Sequence, residues 1–210
     1  MEELLDLSQI PRMKEFFLAR QPILDRQQNL FAHELLFRNA DQGPAQITSD
    51  LSATASVIAH AAQLGVDKTL GDTLGFLNVD AAVLMSDIVK FLPRERVVLE
   101  IVETMEVNPE ILTRVGELVQ KGYRFALDDV IADTDQVKQL LPLIEFIKID
   151  LRDMPLSALL KLTPQFKLAG KKLLAEKVET QQEFQTCLDL GFDFFQGYHF
   201  AKPQIISGKK

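Results

Sequence analysis

Short apolar runs alternate with longer segments of helical periodicity along most of this chain, and the alternation limits which folds it can adopt. Runs of strand length that are separated by helices predict repeated βα units, which build a parallel sheet. A count of about eight such runs favours closure of the sheet into a barrel. An open doubly wound sheet is the alternative, although the chain has no glycine-rich phosphate loop of the nucleotide-binding type.

The predicted elements begin with an irregular hairpin and then alternate regularly. Residues 16–24 and 30–38 are predicted to pair across the turn D-R-Q-Q-N. Further strands are predicted at 74–80, 96–102, 123–129, 146–150, 172–178 and 192–197. Helices are predicted at 50–65, 81–91, 109–121, 134–141, 155–169 and 180–190, with Pro164 interrupting the fifth. Because no linker divides the chain, we expect one domain over 1–206 and a polar tail over 207–210.

Charge and composition exclude several classes of partner. The chain has 210 residues, 47% of them hydrophobic, which is enough for the core of a single α/β barrel. Its net charge of −7 argues against binding to a nucleic-acid polymer or a membrane surface. A small phosphorylated ligand remains possible if metal ions supply positive charge locally. A single cysteine, the absence of a long apolar run and an acidic N-terminus predict a cytoplasmic protein.

Most predicted strands carry an acid or an amide at or near their carboxyl end. These residues are Glu34, Asn78, Glu100 with Glu103, Asp128 with Asp129, Asp150, Glu176 with Glu179, and Gln196. In a barrel these strand ends meet at one mouth, where active sites lie. So many carboxylates would repel one another unless divalent cations held them, and oxygen ligands suit Mg²⁺ or Mn²⁺. Adjacent aspartates could serve two ions, which is the arrangement that phosphoryl transfer uses.

A structural interpretation of the same residues stays open. Acids at strand ends often face water or cap the next helix, and Glu103, Asp150 and Glu179 fit that role. Lys148 lies two residues before Asp150, so both side chains share one face of the strand. Lys148 could therefore form a salt bridge with Asp150 or Asp129 rather than take part in catalysis.

The motif E-L-L-F-R at 34–38 resembles the E-x-L-x-R signature of EAL domains, the cyclic di-GMP phosphodiesterases. The resemblance extends in the family's order over residues 15–203. The further motifs are R-Q-P-I at 20–23, L-N-V at 77–79, L-E-I-V-E at 99–103, A-L-D-D at 126–129, I-K-I-D at 147–150, A-E-K-V-E-T at 175–180 and Q-G-Y-H-F-A-K-P at 196–203.

The resemblance implies a modified TIM barrel whose first strand runs antiparallel to the others. It also implies two Mg²⁺ or Mn²⁺ ions and hydrolysis of cyclic di-GMP to the linear dinucleotide. By that resemblance the first ion would be held by Glu34, Asn78, Glu100 and Asp128, and the second by Asp128 and Asp129 with help from Glu176. Lys148 would orient or deprotonate the attacking water, which Gln196 would also contact. Gln21, Leu36 and Arg38 would contact the ligand, with Arg38 on a phosphate, while Glu103 would brace a loop, and Asp150 and Glu179 would support the site.

The chain departs from the family pattern at two places beside the predicted site. It reads D-D-V-I-A-D-T-D-Q where the family has a D-F-G-x-G-x-S loop, and Lys177 stands where a glycine is usual. That loop normally links the second ion to homodimer contacts. The departures resemble the subgroup fused to a C-terminal HD-related output domain. Two alternatives to a cyclic di-GMP phosphodiesterase stay open. The departures favour a degenerate domain that acts as a cyclic di-GMP receptor or protein-interaction module, and the acids alone also fit a barrel enzyme for another phosphodiester.

Overall fold

The structure is a computed structural model that describes residues 16–39, 70–102, 105–152 and 154–206. Its strands are β1 (Phe16–Asp25), β2 (Leu30–Asn39), β3 (Leu74–Val79), β4 (Val97–Val102), β5 (Arg124–Asp128), β6 (Phe146–Asp150), β7 (Lys172–Glu176), β8 (Phe194–Phe195) and β9 (Gln204–Ile206). Its helices are α1 (Ala81–Met85), α2 (Pro109–Gln120), α3 (Asp135–Leu140), α4 (Leu156–Leu168) and α5 (Gln181–Asp189), with 3₁₀ turns at Asp87–Phe91 and Leu141–Leu143. The helix predicted at 50–65 lies outside the described residues.

Eight strands close into a barrel, and β9 adds a ninth outside it. Strands β2 to β8 are parallel neighbours in chain order, and β1 lies antiparallel between β8 and β2 to close the ring. Strand β9 pairs antiparallel with the first half of β1. The predicted α/β barrel of the modified TIM type, with an antiparallel first strand, is confirmed. Within the described residues, no helix reaches the length and apolarity that crossing a bilayer requires.

The structure corrects several predicted boundaries. The helix predicted at 81–91 breaks at Ser86, whose hydroxyl donates to the Val83 carbonyl and accepts from the Ile88 N–H, so the backbone leaves the α-helix there. Pro164 does not interrupt α4, which is continuous. The carbonyl that Pro164 leaves without a donor belongs to Leu160, a residue on the exposed side of α4.

The last two barrel strands are shorter than predicted. Strand β7 ends at Glu176 rather than at 178, because Lys177 takes a left-handed backbone conformation with φ 56°. Strand β8 is reduced to two residues within the predicted range 192–197. Strand β9 was not predicted at all. These three corrections all fall near the carboxyl end of the barrel.

One apolar layer fills the lower half of the barrel interior. It consists of one residue from each barrel strand: Ile23, Ala32, Phe76, Val98, Ala126, Phe146, Leu174 and Phe194. Phe76 and Phe146 meet edge to face, with ring centroids 5.2 Å apart. A larger cluster packs the helices against the outside of the strands. Since side chains alternate along a strand, the next inward position on each strand lies two residues nearer the mouth.

Candidate active site

The inward position above the apolar layer is polar on every barrel strand. Counting two residues onward from each member of that layer, and two backward on the antiparallel β1, gives Gln21, Glu34, Asn78, Glu100, Asp128, Lys148, Glu176 and Gln196. Seven of these eight are buried, all except Asn78, although each is polar or charged. The alternation that packs the barrel floor therefore also brings the predicted site residues into one layer.

Lys148 stands at the centre of this layer. Its Nζ lies 2.6 Å from a carboxylate oxygen of Glu100, 3.0 Å from Asp128 and 3.1 Å from Glu176. A fourth carboxylate, Glu34, is 3.5 Å away. The alternative in which Lys148 pairs with Asp150 or Asp129 is wrong for this structure, since its ion-pair partners are these four.

Four buried carboxylates facing one ammonium carry an excess of negative charge, and their pKa values reflect it. Burial raises the pKa of Glu100 and of Glu176 well above the ordinary value, despite attraction to Lys148. Burial opposes ionisation of Asp128 as well, but Lys148 and a hydrogen bond with Glu176 hold its pKa below the ordinary value. Burial also opposes the charge of Lys148, yet the four carboxylates together raise its pKa. The layer therefore holds extra protons or extra cations.

The donor atoms of the layer fit divalent ions. Oxygens of Glu34, Glu100 and Asp128 lie within 4.8 Å of one another, and so do oxygens of Asp128, Asp129 and Glu176. The two groups share Asp128. Among the described side chains, the amide oxygen of Asn78 and the Glu100 oxygen that Lys148 does not contact are shielded from water and lack a hydrogen-bond partner, which leaves both able to coordinate an ion. A set made of carboxylate and amide oxygens suits Mg²⁺ or Mn²⁺.

The two adjacent aspartates lie at a sharp change in backbone direction. Strand β5 ends at Asp128, and Asp129 takes a left-handed backbone conformation with φ 52°. Aspartate tolerates this conformation better than most residues, because its short polar side chain can form hydrogen bonds with nearby groups. The Asp129 N–H donates to the Asp128 carboxylate at 3.0 Å. Asp128 consequently points into the layer while Asp129 lies exposed at the rim. Asp129 is nevertheless partly shielded from water by its neighbours; this desolvation, followed by repulsion from Asp128, raises its pKa.

Two glutamines orient Glu34. The Gln196 side-chain amide donates to Glu34 at 2.5 Å and to the Gln21 side-chain oxygen at 3.2 Å. Gln21 in turn donates to the Ala201 carbonyl at 3.0 Å. Gly197 permits this arrangement, because a Cβ there would lie 2.1 Å from the Val178 carbonyl oxygen. The two amides therefore hold one predicted metal ligand in a fixed orientation.

A cavity of about 320 Å³ opens above the layer. Its walls include the predicted ligand contacts Gln21 and Leu36 and the predicted supporting residue Glu179. Strand β2 carries Arg38 opposite Phe17, but the Arg38 side chain lies outside what the structure describes. Glu103 also lies outside the described residues.

Asp150 does not join the carboxylate layer. It is buried beside the cavity wall, where Arg152 contacts it at 3.1 Å and Lys177 forms a second ion pair with it. Sequence reasoning did not predict Arg152 or Tyr198 as cavity residues. Arg152 follows the motif I-K-I-D by two positions and Tyr198 lies inside the motif Q-G-Y-H-F-A-K-P, so these motifs were the available signal.

Comparisons with known proteins agree with the fold. A model of the EAL domain family matches residues 4–203. The cyclic di-GMP phosphodiesterase CdgJ of Vibrio cholerae is 34% identical over 194 residues, which are 90% of this chain and 45% of CdgJ.

Solved structures are similar as well. Bacillus subtilis YkuI, in complex with cyclic di-GMP and calcium, superposes with a TM-score of 0.74 at 22% identity, over 93% of this chain and 56% of that chain. Klebsiella pneumoniae BlrP1, in a manganese and cyclic di-GMP complex, gives 0.73 at 22% identity, over 94% of this chain and 58% of that chain. The chain thus spans about half the length of each of these three proteins.

Proposed function

The chain belongs to the EAL domain family, and we propose that it is a metal-dependent phosphodiesterase that hydrolyses cyclic di-GMP to the linear dinucleotide. The observation that carries this proposal is the pair of carboxylate groups that share Asp128. Divalent ions bound as such a pair would lower the charge barrier between an anionic phosphodiester and its nucleophile and would stabilise the attacking and leaving oxygens.

The proposed ligand set follows from the two groups. Glu34, Glu100 and Asp128, together with the unpartnered amide oxygen of Asn78, would hold the first Mg²⁺ or Mn²⁺. The second ion would be held by Asp128, which both groups share, together with Asp129 and Glu176. The negative charge of the two groups exceeds the charge of Lys148, and burial favours protons on Glu100 and Glu176, which divalent cations would displace.

Lys148 is the proposed residue that handles the proton of the attacking water. Its ammonium lies within 3.1 Å of Glu100, Asp128 and Glu176, so it is at the point where both groups meet. Cations on those carboxylates would disfavour the charged lysine and so suit it to orient or deprotonate the water. Gln196, fixed against Glu34, would position the same water or the ligand carboxylate.

The cavity has side chains suited to a base and a phosphate of cyclic di-GMP. Leu36 and the exposed ring of Tyr198 line it, and an aromatic face stacks well on a base. Gln21 lines the same wall, and Arg38 is proposed to bind a phosphate through its fork of donors. An acidic chain needs such local positive groups, because its overall field repels an anionic ligand.

A second candidate function is a degenerate EAL domain that binds cyclic di-GMP, or a protein partner, without turnover. The altered sequence after Asp129 and the lysine at 177 favour it, since both adjoin the second carboxylate group. We further propose, on the strength of the resemblance, one barrel domain over 1–206, a bracing role for Glu103 and a cytoplasmic location. A homodimer and an attached HD-related output domain are proposals of the same kind.

Turnover and binding can be separated on one preparation. Purified protein is incubated with cyclic di-GMP in Mn²⁺, Mg²⁺ or EDTA, and the products are separated by chromatography, while calorimetry in Ca²⁺ measures binding. A phosphodiesterase forms the linear dinucleotide in Mn²⁺ or Mg²⁺ and none in EDTA. Binding without product would establish the receptor instead. If neither binding nor product is observed, both functions that involve cyclic di-GMP are excluded and the protein-interaction module remains.

A further inference from the structure

Lys177 occupies a backbone conformation that favours glycine. Its φ of 56° places it in the left-handed region, immediately after β7 and the predicted ligand Glu176. A side chain there meets the following carbonyl, which glycine avoids. The fold tolerates this strain, and the result is a long cationic side chain that lines the cavity next to the second carboxylate group.

The ammonium of Lys177 is anchored in place. It forms an ion pair with Asp150, whose side chain is 2% exposed and which Arg152 also contacts. Strand pairing sets Asp150 directly opposite Glu176, so the anchor lies beside the second group. Because its partner is buried and is also held by Arg152, the lysine head is fixed at Asp150 beside the cavity, although the Lys177 side chain as a whole is 40% exposed.

Lys177 adds a cation on the side of the second group. It follows Glu176 directly in the sequence and lines the same cavity as Asp128, Asp129 and Glu176, the three members of that group. Lys148 does not distinguish the two groups, because its Nζ contacts Glu34, Glu100 and Asp128 of the first group and also Glu176 of the second.

A resident ammonium opposes a divalent ion at the same carboxylates. A unit positive charge about 8 Å from a divalent ion lowers its affinity roughly tenfold when the effective dielectric constant is about 60. The effect is larger in a more enclosed site, and it falls on the second group because Lys177 adjoins Glu176.

We propose that Lys177 is the resident cation of the second carboxylate group, so that this barrel binds one divalent ion tightly and a second only at a much higher concentration. The inference rests on the proposed function, since it takes these carboxylates to be ion ligands. Turnover by the two-ion route then depends on metal concentration, and the wild-type barrel is a cyclic di-GMP binder with one ion and a phosphodiesterase with two.

Calorimetric titration with Mn²⁺ in the absence of nucleotide tests the proposal, with electron paramagnetic resonance of free Mn²⁺ as an independent count. The variants are Lys177→Gly and Lys177→Gln, which remove the charge, and Lys177→Arg, which keeps it. We expect one tight site in the wild type and in the arginine variant. We expect the second site to strengthen by about tenfold or more in both neutral variants.

The possible results separate this inference from the proposed function. Two equally tight sites in the wild type, or an unchanged second site in both neutral variants, would overturn the role of Lys177 and leave the phosphodiesterase proposal standing. If the affinity of the second site rises in the glycine variant alone, the effect comes from backbone strain, and the proposed role of the Lys177 charge is overturned as well. Absence of any Mn²⁺ binding in all four proteins would refute the metal assignment itself.

Discussion

At the scale of single residues, the site is defined by one buried ammonium among four carboxylates. Removing Lys148 leaves those carboxylates facing one another without a cation, whereas neutralising Glu100 relieves the excess. We therefore expect Lys148→Met to lower the free energy of unfolding of the metal-free protein by roughly 3 kcal/mol or more, and Glu100→Gln to raise it by about 1 kcal/mol. Urea unfolding in EDTA measures both. If both substitutions lowered the free energy of unfolding by similar amounts, the layer would not carry an excess of negative charge.

The pH dependence of metal binding follows from the same residues. Burial raises the folded-state pKa of Glu100 and Glu176, so the stability they contribute is present below their ordinary value of 4.5 and is lost as the pH rises through the raised value. Divalent ions need the ionised carboxylates and displace these protons. We expect the gain in Tm from saturating Mn²⁺ to grow between about pH 5 and pH 8.

Thermal unfolding with Mn²⁺ and with EDTA across that pH range measures the gain. The Glu100→Gln variant is the control, because it lacks one of the two titrating groups and should give a shallower dependence. A gain in Tm that is flat or that shrinks with pH would contradict the assignment of protons to this layer.

At the scale of elements, the close approach of the segment after β8 to the segment after β7 positions Gln196. A Cβ on Gly197 would lie 2.1 Å from the Val178 carbonyl oxygen, so Gly197→Ala must push the two segments apart. We expect a loss of roughly 2 kcal/mol or more in stability, with a drop in turnover because Gln196 moves. Denaturant unfolding and product assays measure the two effects.

Gly116 supplies the matched control for that substitution. It lies inside α2, and a Cβ added there would have Leu143 as its nearest neighbour at 4.0 Å. Gly116→Ala should therefore raise stability by about 0.5 to 1 kcal/mol, since alanine favours the helix and nothing clashes. Equal effects of the two substitutions would show that the contact at Gly197 is unimportant.

The loop after β5 is a second element that bears on the site. Its sequence V-I-A-D-T replaces the glycines that the EAL family usually carries after the paired aspartates. Grafting the family's glycine-rich loop after Asp129 should raise turnover, because Asp129 would gain freedom to reach an ion. Initial rates in Mn²⁺ compare the graft with the wild type. An unchanged rate would mean that this loop does not limit the reaction.

At the scale of the whole molecule, the barrel and most of the polar layer could be predicted from the sequence for one physical reason. Side chains alternate along strands, so the apolar residue that fills the barrel floor and the polar residue above it stand two positions apart, as Ala126 and Asp128 do. Strand-end polarity is therefore visible in the sequence before any pairing is known. The motif resemblance then assigned roles that periodicity alone left open.

Features that depend on distant contacts could not be predicted. Strand β9 is three residues long and exists through its pairing with β1, about 185 positions earlier in the chain. The break at Ser86 depends on local hydrogen bonds that compete with the helix. The four partners of Lys148 come from four different strands, so the sequence spacing of Lys148 and Asp150 suggested the wrong pair.

The most direct test of the central claim is the initial rate of linear dinucleotide formation in saturating Mn²⁺, compared between the wild type and two ligand variants. We predict that Glu34→Ala and Asp128→Ala abolish turnover with little loss of stability, because each removes a ligand from a group that carries surplus charge. Glu110→Ala, which removes an exposed carboxylate from α2, should keep the wild-type rate. Turnover that persists at the wild-type rate in both ligand variants would contradict the claim that these carboxylates form the catalytic site.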